Sequence, residues 1–189
     1  MKKSIKVQRG FYPQPAYLVG TYKENHEPNF ALITQIHNCS ANPPMIMFST
    51  RGNNITHRLI EKNNVFSANM VNEDLMEFAD FCGLNSGADV NKLEKWNYKI
   101  EKGKVLDVPI IYESPFVYEC EFVKKFEIGD GIIYTVEIKN IQIDSSVENA
   151  EYGGIDLMDL RPLIYAPGKY YSLRKAMGNV GLSKEKNRI

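Results

Sequence analysis

Apolar and polar positions alternate along this chain in short runs rich in aromatic and β-branched residues, the pattern of half-buried strands. Six runs stand out: AYLVGTY (16–22), NFALITQIHNC (29–39), PMIMFST (44–50), NVFSANMV (64–71), FVYECEFVKKFEIGD (116–130) and GIIYTVEIKNIQID (131–144). The fifth alternates most cleanly, with Val117, Glu119, Glu121 and Val123 on one face and Phe116, Tyr118, Cys120 and Phe122 on the other. One face is expected to meet the core and the other solvent or a partner. Asp130-Gly131 between the last two runs reads as a tight hairpin turn.

Helical spacing is rarer. NITHRLIEKNN (54–64) places Ile55, Leu59 and Ile60 on one side of a short helix. NEDLMEFADFCGL (72–84) fits a second, with Glu73 and Asp74 at its positive end and Gly83 as its stop. SLRKAMGNVGL (172–182) gives a third, weakened by Gly178. The intervening NSGADVNKLEKWNYK and EKGKVLDVPIIYES are loop-rich and too short to be domains. The expected fold is therefore mainly β: a single domain over residues 1–189, an antiparallel six-stranded barrel, closed or split, with peripheral helices.

Composition narrows the function classes. With 189 residues and 43% hydrophobic content the chain suits one globular core. Lysine plus arginine equals aspartate plus glutamate at 23 each, so no global field draws it to nucleic acid or an anionic membrane. MKKSIKVQRG carries positive charge without the apolar run of a secretory signal, and no apolar stretch approaches the ~20 residues of a membrane span. Cys39, Cys82 and Cys120 are scattered and odd in number, so they read as small buried hydrophobes rather than a disulfide or metal framework. A cytoplasmic location is the expectation.

His26, His37 and His57 have no second ligand at metal spacing, so no metal site is expected. Gly-x-Ser-x-Gly, Walker and Gly-x-Gly-x-x-Gly signatures are absent, and the sequence points to no general acid or base. What remains is STRGNNIT (49–56). Arg51 offers a fork of donors matched to phosphate, Thr50, Asn53, Asn54 and Thr56 add uncharged donors, and the following helix start adds free N–H groups. An ordinary capped turn, with Asn54 as the cap and Arg51 solvated, accounts for the same residues.

The order of the flanking segments changes that balance. PQPAYLVGTY, Asn29, SANPP (40–44), the hydroxyl/arginine loop, a threonine-led helix, Phe66-x-x-Asn69, SGADVNKL and YYSLRKAMGNVG together resemble the flavin reductase-like FMN-binding split barrels, particularly the flavoredoxin-type branch, over about residues 11–182. The resemblance implies a Greek-key split barrel holding FMN non-covalently at a homodimer interface. It places Ile33, Thr34 and Gln35 along the flavin ring, Thr50, Arg51, Asn53, Asn54 and Thr56 at the phosphate, and Lys92 as a second charge there. Leu32, Asn91 and Arg174 depart from the usual threonine, aspartate and glycine. His57 either approaches the flavin or lies exposed. The implied activity is an NAD(P)H-dependent flavin reductase, with NADH or NADPH as donor. The alternatives are a flavoredoxin-like carrier that exchanges electrons with redox protein partners and a binding module without redox role.

Overall fold

The computed structural model describes residues 1–8, 10–51, 54–147, 151 and 154–181. Twelve strands form among them: β1 (Gln14–Pro15), β2 (Tyr17–Tyr22), β3 (Pro28–Ile33), β4 (Ile36–Ala41), β5 (Pro44–Arg51), β6 (Val65–Met70), β7 (Ile100–Lys102), β8 (Pro109–Ile111), β9 (Phe116–Ile128), β10 (Gly131–Ile143), β11 (Leu163–Ala166) and β12 (Lys169–Ser172). The helices are α1 (Ile55–Asn63), α2 (Met76–Leu84), which follows a 3₁₀ turn at Glu73–Leu75, and the short α3 (Leu157–Leu160). No helix among the described residues is long and apolar enough to cross a membrane.

Seven strands form one antiparallel sheet in the order β3-β2-β6-β9-β10-β5-β4. Its two edge strands, β3 and β4, are consecutive in sequence and separated only by Thr34 and Gln35. Adjacent Cα atoms lie about 3.8 Å apart, so the edges must stand side by side and the sheet must curl into a barrel. The barrel is split at that step. Gln35 holds it there, its carbonyl accepting from Ser49 N at 2.9 Å. The expected six strands become seven because 29–39 breaks at this point. Small sheets β1-β11-β12 and β7-β8 flank the barrel.

Alternation explains how the barrel is clothed. In β2, Leu18 and Val19 are both fully buried, although neighbours point to opposite faces. Val19 joins the barrel interior with Ile46, Phe48, Phe66, Tyr134 and Val136, whereas Leu18 packs outside with Phe30, Leu75, Phe78 and Cys82 beneath α2. Phe48 stacks on Tyr134 at 5.2 Å and meets Phe66 edge-on at 5.5 Å. Each such buried ring contributes about 1.5–3 kcal/mol by leaving water.

Four expectations need correction. Glu119 does not face solvent: it is fully buried under residues 103–110. The hairpin turn centres on Gly129-Asp130, with Gly129 at φ +59°, the position and sign a type II′ turn uses, and Gly131 already begins β10. Cys39 is exposed, while Cys82 and Cys120 are buried as expected. Residues 172–181 are not helical: β12 runs to Ser172 and the remainder is irregular. Met177 and Val180 there are exposed, so nothing stabilises a short helix by packing.

Candidate functional site

The split opens into a cleft of about 770 Å³ bordered by Gln14, Leu32, Ile33, Thr34, Gln35, Ser49, Thr50, Arg51 and Tyr165. A more enclosed pocket of about 240 Å³ continues it, reached across Leu32, Ile33, Thr50 and Gly83 and walled by Asn54, Thr56, Ser86, Gly87 and Lys92. No carboxylate borders either space among the described residues. Donors line both, which favours a ligand with carbonyl, ring-nitrogen or anionic groups.

The enclosed end is built by α1. Asn54 takes the cap role, its Oδ1 accepting from His57 N at 3.1 Å. That bond leaves the Ile55 and Thr56 N–H groups without an intrahelical partner, at the positive end of the helix dipole. The first turn of α1 contains no acid to neutralise it. Thr56 is fixed from below, its Oγ1 accepting from Asn29 Nδ2 at 3.3 Å. Cap and cradle are thus the same structure. Gly87 is required opposite: a Cβ there would sit 1.8 Å from Asn29 Oδ1, which is itself buried without a hydrogen-bond partner among the described residues.

Lys92 carries the charge at this end. It is 4% exposed, and its Nζ donates to the Phe30 and Cys82 carbonyls at 2.8 and 2.9 Å. No carboxylate pairs with it among the described residues. Burial pushes its pKa down, the Cys82 side chain opposes that shift, and Lys23 adds to it. The Cys82 thiol is pushed up to about 12 by burial, so it is neutral and does not neutralise the ammonium. An unpaired buried cation is costly, and an anion in the pocket relieves that cost.

Thr50 and Arg51 part company. Thr50 Oγ1 lies 2.9 Å from His57 Nε2, on the α1 side, while Arg51 is exposed and borders the open cleft with Ser49 and Gln35. Arg51 does not border the enclosed pocket, although Thr50 does. Asn53 lies outside the described residues. Ile33, Thr34 and Gln35 line the cleft floor at the split, where the ladder hydrogen bonds of β3 and β4 stop. Leu32 stands with them. Of the expected residues, the structure therefore gathers Thr50, Asn54, Thr56 and Lys92 at one end and Ile33, Thr34, Gln35 and Arg51 along the cleft.

Sequence reasoning missed Gln14, Ser49 and Tyr165. Ser49 Oγ donates to Gln35 Oε1 at 2.7 Å, and the Thr34 hydroxyl donates to Gln14 Oε1 at 3.0 Å. A lone amide between Pro13 and Pro15, in an otherwise apolar segment, was the available signal for Gln14.

His57 is neither exposed nor in the cleft. It is buried behind Thr50, with its ring 5.5 Å from Tyr134 and Nδ1 unpartnered among the described residues. Orphaned buried N–H groups are rarer than orphaned acceptors, so we assign the hydrogen to Nε2, which donates to Thr50 and leaves the Thr50 hydroxyl free to donate onward. Burial lowers the His57 pKa below its ordinary 6.5, against the pull of Glu61 and with the push of Lys125. The unfolded chain therefore binds the extra proton first, and folding stability is expected to begin to fall as pH drops through the ordinary histidine value of 6.5. His57→Gln, which keeps a donor for Thr50, should flatten that slope in urea melts; an unchanged slope would assign it elsewhere.

Comparison with known proteins identifies the fold and the family. Flavoredoxin of Desulfovibrio vulgaris (Miyazaki F) superimposes with a TM-score of 0.87 and 27% identity, covering 95% of this chain and 97% of that one. An FMN-binding protein from Thermus thermophilus, solved with p-hydroxybenzaldehyde, gives a TM-score of 0.78 at 22% identity over 94% and 99% of the chains, a likeness of fold. An uncharacterized protein of Aeropyrum pernix is 28% identical over 138 residues, 70% of this chain; the match spans 51% of that relative's length. The sequence pattern of the Flavin reductase like domain matches residues 9–174, and the chain belongs to that family.

Proposed function

We propose that this chain binds FMN non-covalently and works as an NAD(P)H-dependent flavin reductase-type oxidoreductase. The observation that carries the reading is the pocket that joins the start of α1 to the buried Lys92, with no carboxylate bordering it among the described residues. Asn54, Thr56, Thr50 and Lys92 hold the phosphate, with Arg51 at its mouth. Ile33, Thr34 and Gln35 lie along the ring, where the broken ladder leaves backbone groups free for it. When bound, the flavin supplies hydride and electron transfer. The protein orients it, surrounds it with uncharged donors and screens one face from water.

The cleft remains open on one side, and Tyr12 at its rim and Ile128 beside Arg51 are exposed. A second copy of the chain covering that side completes the site, so the working form is a homodimer.

A second reading, an electron carrier serving redox proteins, draws on the likeness to the Desulfovibrio protein named flavoredoxin. Anaerobic rapid mixing of the FMN-loaded protein with NADH and with NADPH separates the two. Bleaching of bound flavin at rates that support turnover is the expected result. Bleaching only with a reduced protein donor favours the carrier and excludes the reductase.

A further inference from the structure

Gln14 has a role that the phosphate end does not explain. Its side chain is 7% exposed and borders the cleft next to Thr34. The Thr34 hydroxyl occupies its Oε1 at 3.0 Å, and among the described residues its Nε2 makes no hydrogen bond. Its Nε2 is not closed off from the cleft, so water or a ligand there takes its donors. The cleft is the polar space this amide borders.

Position identifies the acceptor. Gln14 borders the open cleft but not the enclosed pocket, and the strip Leu32–Thr34 runs between the two. A flavin with its phosphate against Lys92 and its ring along Ile33, Thr34 and Gln35 can present to Gln14 the ring edge opposite its ribityl arm. That edge holds N5 and the neighbouring carbonyl. When the ring gains two electrons, N5 takes a proton and becomes a donor, while the carbonyl stays an acceptor and grows richer in electrons.

We propose that Gln14 is the positioning residue that sets the redox potential of this site: Thr34 holds its Oε1, and its Nε2 donates to the ring carbonyl beside N5. The inference rests on the flavin reading. Because the carbonyl accepts more strongly after reduction, Gln14 favours the reduced ring and raises the potential.

The test is a dithionite titration of FMN-loaded wild type, Gln14→Met and Thr34→Val against a reference dye, with dissociation constants for oxidised and reduced FMN. Gln14→Met should lose about tenfold of its preference for reduced over oxidised FMN, a potential about 30 mV lower for a two-electron couple. Thr34→Val, which releases the amide, should move the same way by less. Should both variants weaken the two oxidation states equally, or leave the potential where it was, Gln14 is merely structural and the proposal falls, with flavin binding intact. Wild type that binds no flavin overturns the functional reading as well.

Discussion

Replacing Lys92 by methionine is expected to weaken FMN binding roughly 10- to 100-fold and to leave riboflavin within about twofold, since a charge-assisted contact to phosphate is worth about 1.5–3 kcal/mol. The structure concentrates this effect on Lys92. An exposed arginine contributes a charge that solvent screens, whereas Lys92 is buried, unpaired and fixed by the Phe30 and Cys82 carbonyls. Arg51→Ala should therefore give the same pattern with a smaller loss, though the sequence alone makes Arg51 the foremost candidate. Methionine keeps the aliphatic stem of Lys92, so packing against α2 persists. Equilibrium titration with both flavins reads the result. Equal weakening of FMN and riboflavin would move the phosphate away from Lys92.

The largest stability effect is expected at Glu119. Its carboxylate accepts from the backbone N–H of Lys104, Val105 and Leu106 at 3.0, 2.9 and 2.6 Å, and from the Asn140 and Gln142 amides at 2.6 and 2.9 Å. Five donors converge on one side chain in the first half of β9, tying the 103–110 segment to the barrel. Burial pushes this carboxyl up, yet the Asn140 amide and the three backbone donors together outweigh it and hold the pKa below the ordinary value. Glu119→Ala takes the shared acceptor away from donors on partly exposed segments and should cost about 2–3 kcal/mol in urea unfolding. A loss below about 1 kcal/mol would show that the 103–110 segment finds other partners. Because the folded pKa is depressed, the stabilisation is complete above the ordinary glutamate range and disappears as pH falls through the folded value.

Glu119 also shows where sequence reasoning stopped. Alternation placed it correctly on the face opposite Tyr118 and Cys120, but alternation does not say what covers a face. The covering segment, EKGKVLDVPII, lacks a strong period, and its β7-β8 pairing depends on contacts distant in sequence. The break at Thr34-Gln35 was hidden for a different reason. Ile33, Thr34 and Ile36 all suit a strand, so the local propensity is continuous. Barrel closure, which propensity does not encode, ends the ladder there.

Local chemistry was more readable. The α1 boundaries follow from Asn54 as cap and Asn64 in the left-handed conformation at φ +63°, with its N–H on the Ile60 carbonyl. Both were visible as polar residues around an amphipathic segment. The inner end of the site was legible through the order of its segments, since its hydroxyls, its amide and Lys92 come from the end of β5, the start of α1 and the loop after α2, which only the fold unites. Gln14 was not, because one uncharged amide gives no spacing to recognise.

The account stands most directly on an equilibrium titration of the flavin-free wild-type chain with FMN and with riboflavin, followed by flavin fluorescence and visible absorbance. The prediction is saturable binding of one FMN per chain, at least about tenfold tighter than riboflavin, as a phosphate held by Lys92 and the α1 start requires. No spectral change at saturating FMN, or riboflavin binding as tightly as FMN, would contradict it.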